Sequence, residues 1–117
     1  MQQFKIVTLN SLYLSSGISH PQRMIKYTKT TLQKLIRIFH EQEYVVRFEK
    51  GHFQSGYAFV HEKKIVVINK FFDTESRINA VLEILDQIKI NKALLDEASF
   101  KYYKSLVKEG LIKPMEE

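Results

Sequence analysis

Apolar residues in the middle of the chain recur at the spacing of an α-helix. Over residues 30–43, apolar residues recur at spacings of three, four and seven, and polar or charged side chains lie away from that stripe. This is the pattern of a helix with one buried stripe. A first helix is therefore predicted over this segment. Its stripe consists of Leu32, Leu35, Ile36 and Phe39.

Three segments rich in β-branched and aromatic residues follow, at residues 44–50, 57–61 and 65–69. Such compositions favour β-strands. Short polar connections separate the segments, and consecutive strands with short connections tend to pair in sequence order. The pattern predicts a three-stranded antiparallel meander. The last segment is apolar on both faces, so we expect it to be central and covered.

Two further helices are predicted after the strands. The first has an apolar stripe wide enough to cover one face of the sheet, formed by Ile78, Val81, Leu82, Leu85 and Ile88. The second runs over residues 94–109 and ends at Gly110, where Leu111 can fold back on Leu106 in a Schellman arrangement. The predicted order is α-β-β-β-α-α, an α+β fold with its helices mainly on one face of the sheet.

The first 23 residues differ in composition from the rest. The stretch SSGISHPQ collects serine, glycine and proline, as linkers do. Better-organised apolar periodicity begins only at Met24. We expect residues 1–23 to be a flexible arm or an upstream extension, and residues 24–117 to form a single α+β domain.

Composition narrows the classes of function. The 117 residues include no cysteine, and the four histidines form no His-x-x-x-His pair, so no metal site and no cofactor are expected. No run approaches the ~18 apolar residues of a membrane span. The N-terminus lacks the features of a secretory signal. We therefore expect a cytoplasmic protein with no membrane partner.

The junction INKFFDTESR, which joins the last predicted strand to a helix, concentrates polar groups. A helix N-terminus favours anions, so Lys70 and Arg77 are candidates for binding a phosphate or carboxylate. Ordinary capping chemistry gives the same pattern, with Asp73 or Thr74 as the cap. Further along the helix, Glu83 is a candidate catalytic carboxylate. His52, in the glycine-bearing loop GHFQSGY, is a second candidate, as a base or a ligand.

The net charge of +5 leaves nucleic acid open as a partner, although lysines and acids are interleaved along the chain. Aromatic side chains flanked by cations on a sheet can stack single-stranded bases. The candidates are Arg47, Lys50, Phe53, Tyr57, Lys63 and Lys64. Packing within the sheet is the alternative interpretation of these aromatic rings.

The segment EKGHFQSGYAFVHEKKIVVINKFFDTESRINAVLEIL resembles the core of ImmA/IrrE-type metallopeptidase-like domains. The NKFF junction is also similar to that of short uncharacterised proteins from Bacteroidetes-type bacteria. The resemblance implies a zincin-like core, in which a helix carries a His-Glu-x-x-His motif. In this chain the motif's positions are occupied by Leu82, Glu83, Ile84, Leu85 and Asp86. Only Glu83 matches, so the resemblance implies the fold without the metal site.

These observations favour a non-catalytic binding or regulatory module with a degenerate metallopeptidase-like core. Two alternatives stay open: a nucleic-acid-binding module that uses the basic and aromatic residues above, and a carboxylate-dependent hydrolase that uses Glu83. The hydrolase needs a second group to orient the carboxylate and a pocket to perturb its pKa, and the sequence shows neither. The partner is unknown, and a homodimer is among the arrangements left open.

Overall fold

A computed structural model describes the backbone of residues 5–8 and all of residues 25–115. It confirms the α+β class. None of the helices in these ranges is long and apolar enough to cross a membrane. The elements are β1 (Lys5–Thr8), α1 (Lys29–Glu41), β2 (Tyr44–Glu49), β3 (Gly56–Val60), β4 (Lys63–Asn69), α2 (Thr74–Gln87), a 3₁₀ turn (Lys92–Leu94) and α3 (Glu97–Lys108).

The strands form one mixed sheet in the order β1-β3-β4-β2. The predicted antiparallel meander is wrong, because β2 pairs in parallel with β4, with Val46 opposite Val66, and not with β3. β3 pairs antiparallel with β4. The prediction that the third segment is central is confirmed. β4 is the most apolar of the three predicted strands, and it lies between β3 and β2. The connection from β2 to β3 therefore crosses the end of β4.

The helices cover the sheet face that carries Val66 and Ile68, both completely buried. The periodic stripes of α1 and α2 pack there, with Leu35 and Leu85 among the fully buried side chains. α3 contacts α1 and adds Tyr103 to the same core. The predicted placement of helices mainly on one face agrees with this arrangement.

Local chemistry fixes the helix ends. The Asp73 side chain accepts a hydrogen bond from the Ser76 amide (2.9 Å), so this residue caps α2 as predicted. Gly110, at φ 75°, ends α3 with the Leu111 amide donating to the Leu106 carbonyl (3.0 Å). The predicted Schellman arrangement is thus confirmed.

The prediction of an arm or extension concerns residues 1–23. Of these, the structure describes only the four residues of β1, which pair antiparallel with β3 so that Ile6 lies opposite Ala58. These four residues form one edge of the sheet. The rest of that segment lies outside the described residues.

Candidate functional site

Asn69, the last residue of β4, organises the junction that the sequence singles out. Its buried carboxamide donates to the carbonyls of Gly51 (2.8 Å) and Phe53 (2.7 Å) and accepts from the Phe71 amide (3.0 Å). Its own amide donates to Ser55 Oγ (2.8 Å). One side chain thus joins the loop between β2 and β3 to the turn that precedes α2.

Arg77 completes the same turn. Its guanidinium donates to the carbonyls of Phe72 (2.7 Å) and Lys70 (2.6 Å). Lys70 and Arg77, the two predicted anion ligands, are therefore brought together. Their contact uses the backbone carbonyl of Lys70, so the hydrogen bonds of Arg77 go to backbone oxygens. The junction is a turn that side-chain hydrogen bonds to backbone carbonyls hold in place. The hydrogen bonds that the Asp73 carboxylate accepts from Ser76 lower the pKa of Asp73, as expected for a capping carboxylate.

Glu83 lies on α2 with a buried Oε2 that has no hydrogen-bond partner among the described residues. Asn79, one helical turn earlier, also has a buried and unpartnered Oδ1. Burial, and secondarily the charge of Asp86, raises the pKa of Glu83. Asp86 itself accepts from the Lys113 amide (2.6 Å). His52, the other catalytic candidate, lies on the exposed loop that Asn69 holds.

The nucleic-acid candidates are divided between the two faces of the sheet. Arg47 lies opposite Val67 and Tyr57 lies opposite Val66, so their side chains point to opposite faces. Tyr57 is half-buried against the core. Lys50 and Phe53 belong to the loop after β2, whereas Lys63 and Lys64 begin β4 at the other end of the sheet. The structure does not gather these six residues into one surface.

A different feature offers a binding site: an open cleft of about 1070 Å³, which we call the lysine cleft. It lies between the turn after α1, the start of β4, the connection from α2 to α3, and α3 itself. Among residues 25–115, its lining includes five lysines and one acidic residue, Glu43. The lysines are Lys64, Lys89, Lys92, Lys104 and Lys108.

The same cleft has apolar walls. Ile90, Leu94, Val107 and Met115 line it together with Phe100. The ammonium groups of Lys92 and Lys104 stand 5.0 and 5.2 Å from the centre of the Phe100 ring. These cation–π contacts hold two positive charges beside an apolar surface. The arrangement suits a ligand that carries both negative charge and apolar groups.

Hydrogen bonds to the backbone fix the walls of the lysine cleft. The Gln42 carboxamide, at 2% exposure, accepts from the Asn91 amide (2.7 Å) and donates to the Asn91 carbonyl (3.0 Å). The Tyr103 hydroxyl donates to the Lys113 carbonyl (3.1 Å). Burial, with the charge of Asp86, raises the pKa of Tyr103 to about 12, so the ring is a neutral donor at ordinary pH.

Sequence reasoning missed this cleft because its lysines come from separate elements. Only Lys104 and Lys108 have a recognisable spacing, one helical turn apart on α3. Lys64 is the one residue of the cleft among the predicted site residues, and its ammonium stands 4.9 Å from the centre of the Tyr44 ring. The signal that could have found the site is the concentration of lysines after residue 88, interleaved with apolar residues.

Comparison of the chain with protein-family models, with curated proteins and with solved structures gives no match. Within residues 25–115, no group of three or more histidine, cysteine, aspartate or glutamate side chains is placed to hold a metal ion. The position of Leu82, which the zincin motif gives to a histidine, is buried in the core at 5% exposure. The resemblance to ImmA/IrrE-type domains stays a prediction.

Proposed function

We propose that the protein is a non-catalytic binding module that holds an acidic, partly apolar polypeptide segment in the lysine cleft. The observation that carries the proposal is that five lysines line the cleft together with apolar residues and, among the described residues, a single acidic residue. Such a set of like charges attracts an anionic partner and raises its rate of association. The charges are spread over several elements, which fits a partner with spaced carboxylates better than one compact anion.

The apolar walls favour a polypeptide over a nucleic acid. Single-stranded bases bind by stacking on exposed aromatic rings. The two aromatic residues of the lysine cleft do not offer such rings, since Tyr103 is fully buried and Phe100 already contacts two ammonium groups. Leu94, at 39% exposure, offers an apolar surface that a leucine-like side chain of a peptide can contact without displacing these contacts.

Catalysis by Glu83 has less support. Neither Glu83 nor His52 belongs to the lining of the lysine cleft. The raised pKa of Glu83 follows from burial beside Asp86, and no described side chain hydrogen-bonds its Oε2 in the way that orients a catalytic carboxylate. A degenerate zincin-like core is compatible with a binding role and remains part of the proposal.

The proposal is tested by measuring the affinity of a fluorescein-labelled peptide of alternating glutamate and leucine. Lys104→Glu combined with Lys108→Glu is expected to weaken binding about tenfold or more, since two attractions become repulsions. The matched control is Lys29→Glu combined with Lys101→Glu, which makes the same change in net charge outside the cleft lining. It should change the affinity by less than about threefold.

Two results would overturn the proposal. Equal losses in both double variants would mean that net charge alone, and not the lysine cleft, attracts the peptide. Tighter binding of a labelled single-stranded RNA than of the peptide, with the same sensitivity at Lys104 and Lys108, would make nucleic acid the partner. A peptide with serine in place of leucine measures the apolar contribution and should bind more weakly.

A further inference from the structure

The outer edge of β2 carries a pattern that is complementary to itself. β2 is the last strand of the sheet, and among the described residues no strand pairs with its outer edge. Its exposed side chains include Val45 (51%) and Phe48 (39%). Edge strands that present apolar residues tend to pair with another chain unless charges or prolines prevent it. We propose that two copies of this chain associate by antiparallel pairing of their β2 strands.

The direction of the backbone groups limits the registers of such a pair. The Glu49 carbonyl accepts from the Lys70 amide (2.9 Å) at the end of β4, so Glu49 faces the inside of the sheet. Successive residues of a strand direct their amide and carbonyl groups to opposite edges. Tyr44, Val46 and Phe48 therefore direct theirs outward. These three residues can supply the hydrogen bonds of a second copy, together with groups beyond either end of the strand.

Charge distinguishes the three registers that pair Val46 and Phe48 with themselves or with each other. Centring the two-fold axis on Val46 places Glu43 opposite Glu49, and centring it on Arg47 places two arginines opposite each other. Centring it on Phe48 places Arg47 of each copy opposite Glu49 of the other. Opposite charges across a strand pair stabilise it and like charges destabilise it, so of these three registers the one centred on Phe48 is favoured.

The side chains fit this register. Arg47 and Glu49 lie on one face of β2, where their side chains are about half exposed and form an ion pair within the chain (3.3 Å). Pairing brings two such ion pairs side by side on one face, and brings the two Phe48 rings together on the other. Aromatic pairs across antiparallel strands add to the stability of the pairing. The lysine cleft lies at the other end of the sheet, beside Lys64, and stays open.

A charge-swap experiment tests the pairing by sedimentation velocity. The wild-type chain of 13.8 kDa is expected to sediment with twice that mass. Arg47→Glu and Glu49→Arg each place like charges opposite one another, and each should raise the dimer dissociation constant roughly tenfold or more. An equimolar mixture of the two variants is again complementary and should form a heterodimer. The double variant R47E/E49R should dimerise like the wild type.

The matched controls are Lys101→Glu and Glu97→Arg, which swap charges in an exposed ion pair of α3 (3.6 Å) away from β2. They should leave the dissociation constant unchanged. A wild-type monomer at concentrations up to about 1 mM would overturn the proposal. So would single β2 variants that dimerise as tightly as the wild type, or a mixture and a double variant that both stay monomeric. Changes in the lysine cleft leave this result unaffected, so the two proposals fail separately.

Discussion

The carboxamide of Gln42 is bonded to both backbone groups of Asn91, accepting from its amide at 2.7 Å and donating to its carbonyl at 3.0 Å. Gln42 caps the C-terminus of α1, and Asn91 caps the 3₁₀ turn in the connection between α2 and α3. The pair therefore holds together two segments that line the lysine cleft. A buried amide with both functions satisfied is costly to remove, because its partners lose their hydrogen bonds without gaining water.

Gln42→Ala is predicted to lower the free energy of unfolding by about 1–3 kcal/mol and to weaken binding in the lysine cleft. Urea denaturation followed by circular dichroism measures the first effect. The matched control is Gln87→Ala, which removes the same side chain from an exposed position of α2 and should change stability by less than about 0.5 kcal/mol. Equal effects of the two substitutions would contradict the role assigned to Gln42.

Asn69 is predicted to stabilise the junction through its three side-chain hydrogen bonds. Asn69→Ala should lower the free energy of unfolding by about 2–4 kcal/mol, because two carbonyls and one amide lose their partner. Asn69→Asp should lower the free energy of unfolding further at neutral pH, since a carboxylate would face the carbonyls of Gly51 and Phe53. That variant should recover part of the loss at acidic pH, where the side chain can donate again. Denaturation of both variants at two pH values checks this order.

Glu83 is predicted to oppose folding at neutral pH. Burial and Asp86 raise its pKa above the usual 4.5, so the folded chain holds the proton more tightly than the unfolded chain. The stability associated with Glu83 is present below its ordinary pKa and is lost as the pH rises through the raised value. The neutral substitution Glu83→Gln should therefore raise the urea midpoint at neutral pH, with a difference that vanishes in acid.

The control for Glu83 is Glu75→Gln. Glu75 lies in the first turn of α2, where a carboxylate interacts favourably with the helix dipole, so this substitution should lower stability by a few tenths of a kcal/mol. The two substitutions thus have opposite expected signs at neutral pH. A lower urea midpoint for Glu83→Gln would show that its carboxylate has a partner that stabilises it.

A glycine in the turn between β3 and β4 is predicted to raise the free energy of unfolding. His61 and Glu62 both have positive φ, 49° and 69°, as a two-residue hairpin turn of type I′ requires. A side chain in this region costs roughly 1 kcal/mol, and glycine avoids the cost. Glu62→Gly should raise the free energy of unfolding by up to about 1 kcal/mol, whereas Glu62→Ala, which keeps the Cβ, should not. Equal effects would exclude strain at Glu62 as the cause.

The sequence predicted the elements well because their signals are local. The stripe of Leu32 to Phe39, the cap at Asp73 and the stop at Gly110 each depend on residues within two helical turns. Strand pairing is not local in this way. Nothing within β2 distinguishes parallel pairing with β4 from antiparallel pairing with β3. The contacts that accompany the observed order are also distant in sequence, since Asn69 holds residues of the loop before β3 that lie 16 and 18 positions away.

The candidate site was predicted less well for the same reason. The density of polar residues at the junction predicted an anion site there, yet Arg77 donates its hydrogen bonds to backbone carbonyls. The lysine cleft draws on Lys64 and on four lysines beyond residue 88, and only tertiary packing brings these together. Charge that is interleaved along a sequence can still be concentrated on one side of the fold.

The most direct test of the central claim is to locate the peptide on the protein. Titration of ¹⁵N-labelled protein with the glutamate–leucine peptide, followed by amide chemical shifts, gives the position residue by residue. The account predicts that the largest changes occur at Gln42, Ile90, Asn91, Phe100 and Lys104, and that they shrink as salt is added. Changes centred instead on the Asn69 junction, or spread evenly over exposed lysines, would contradict it.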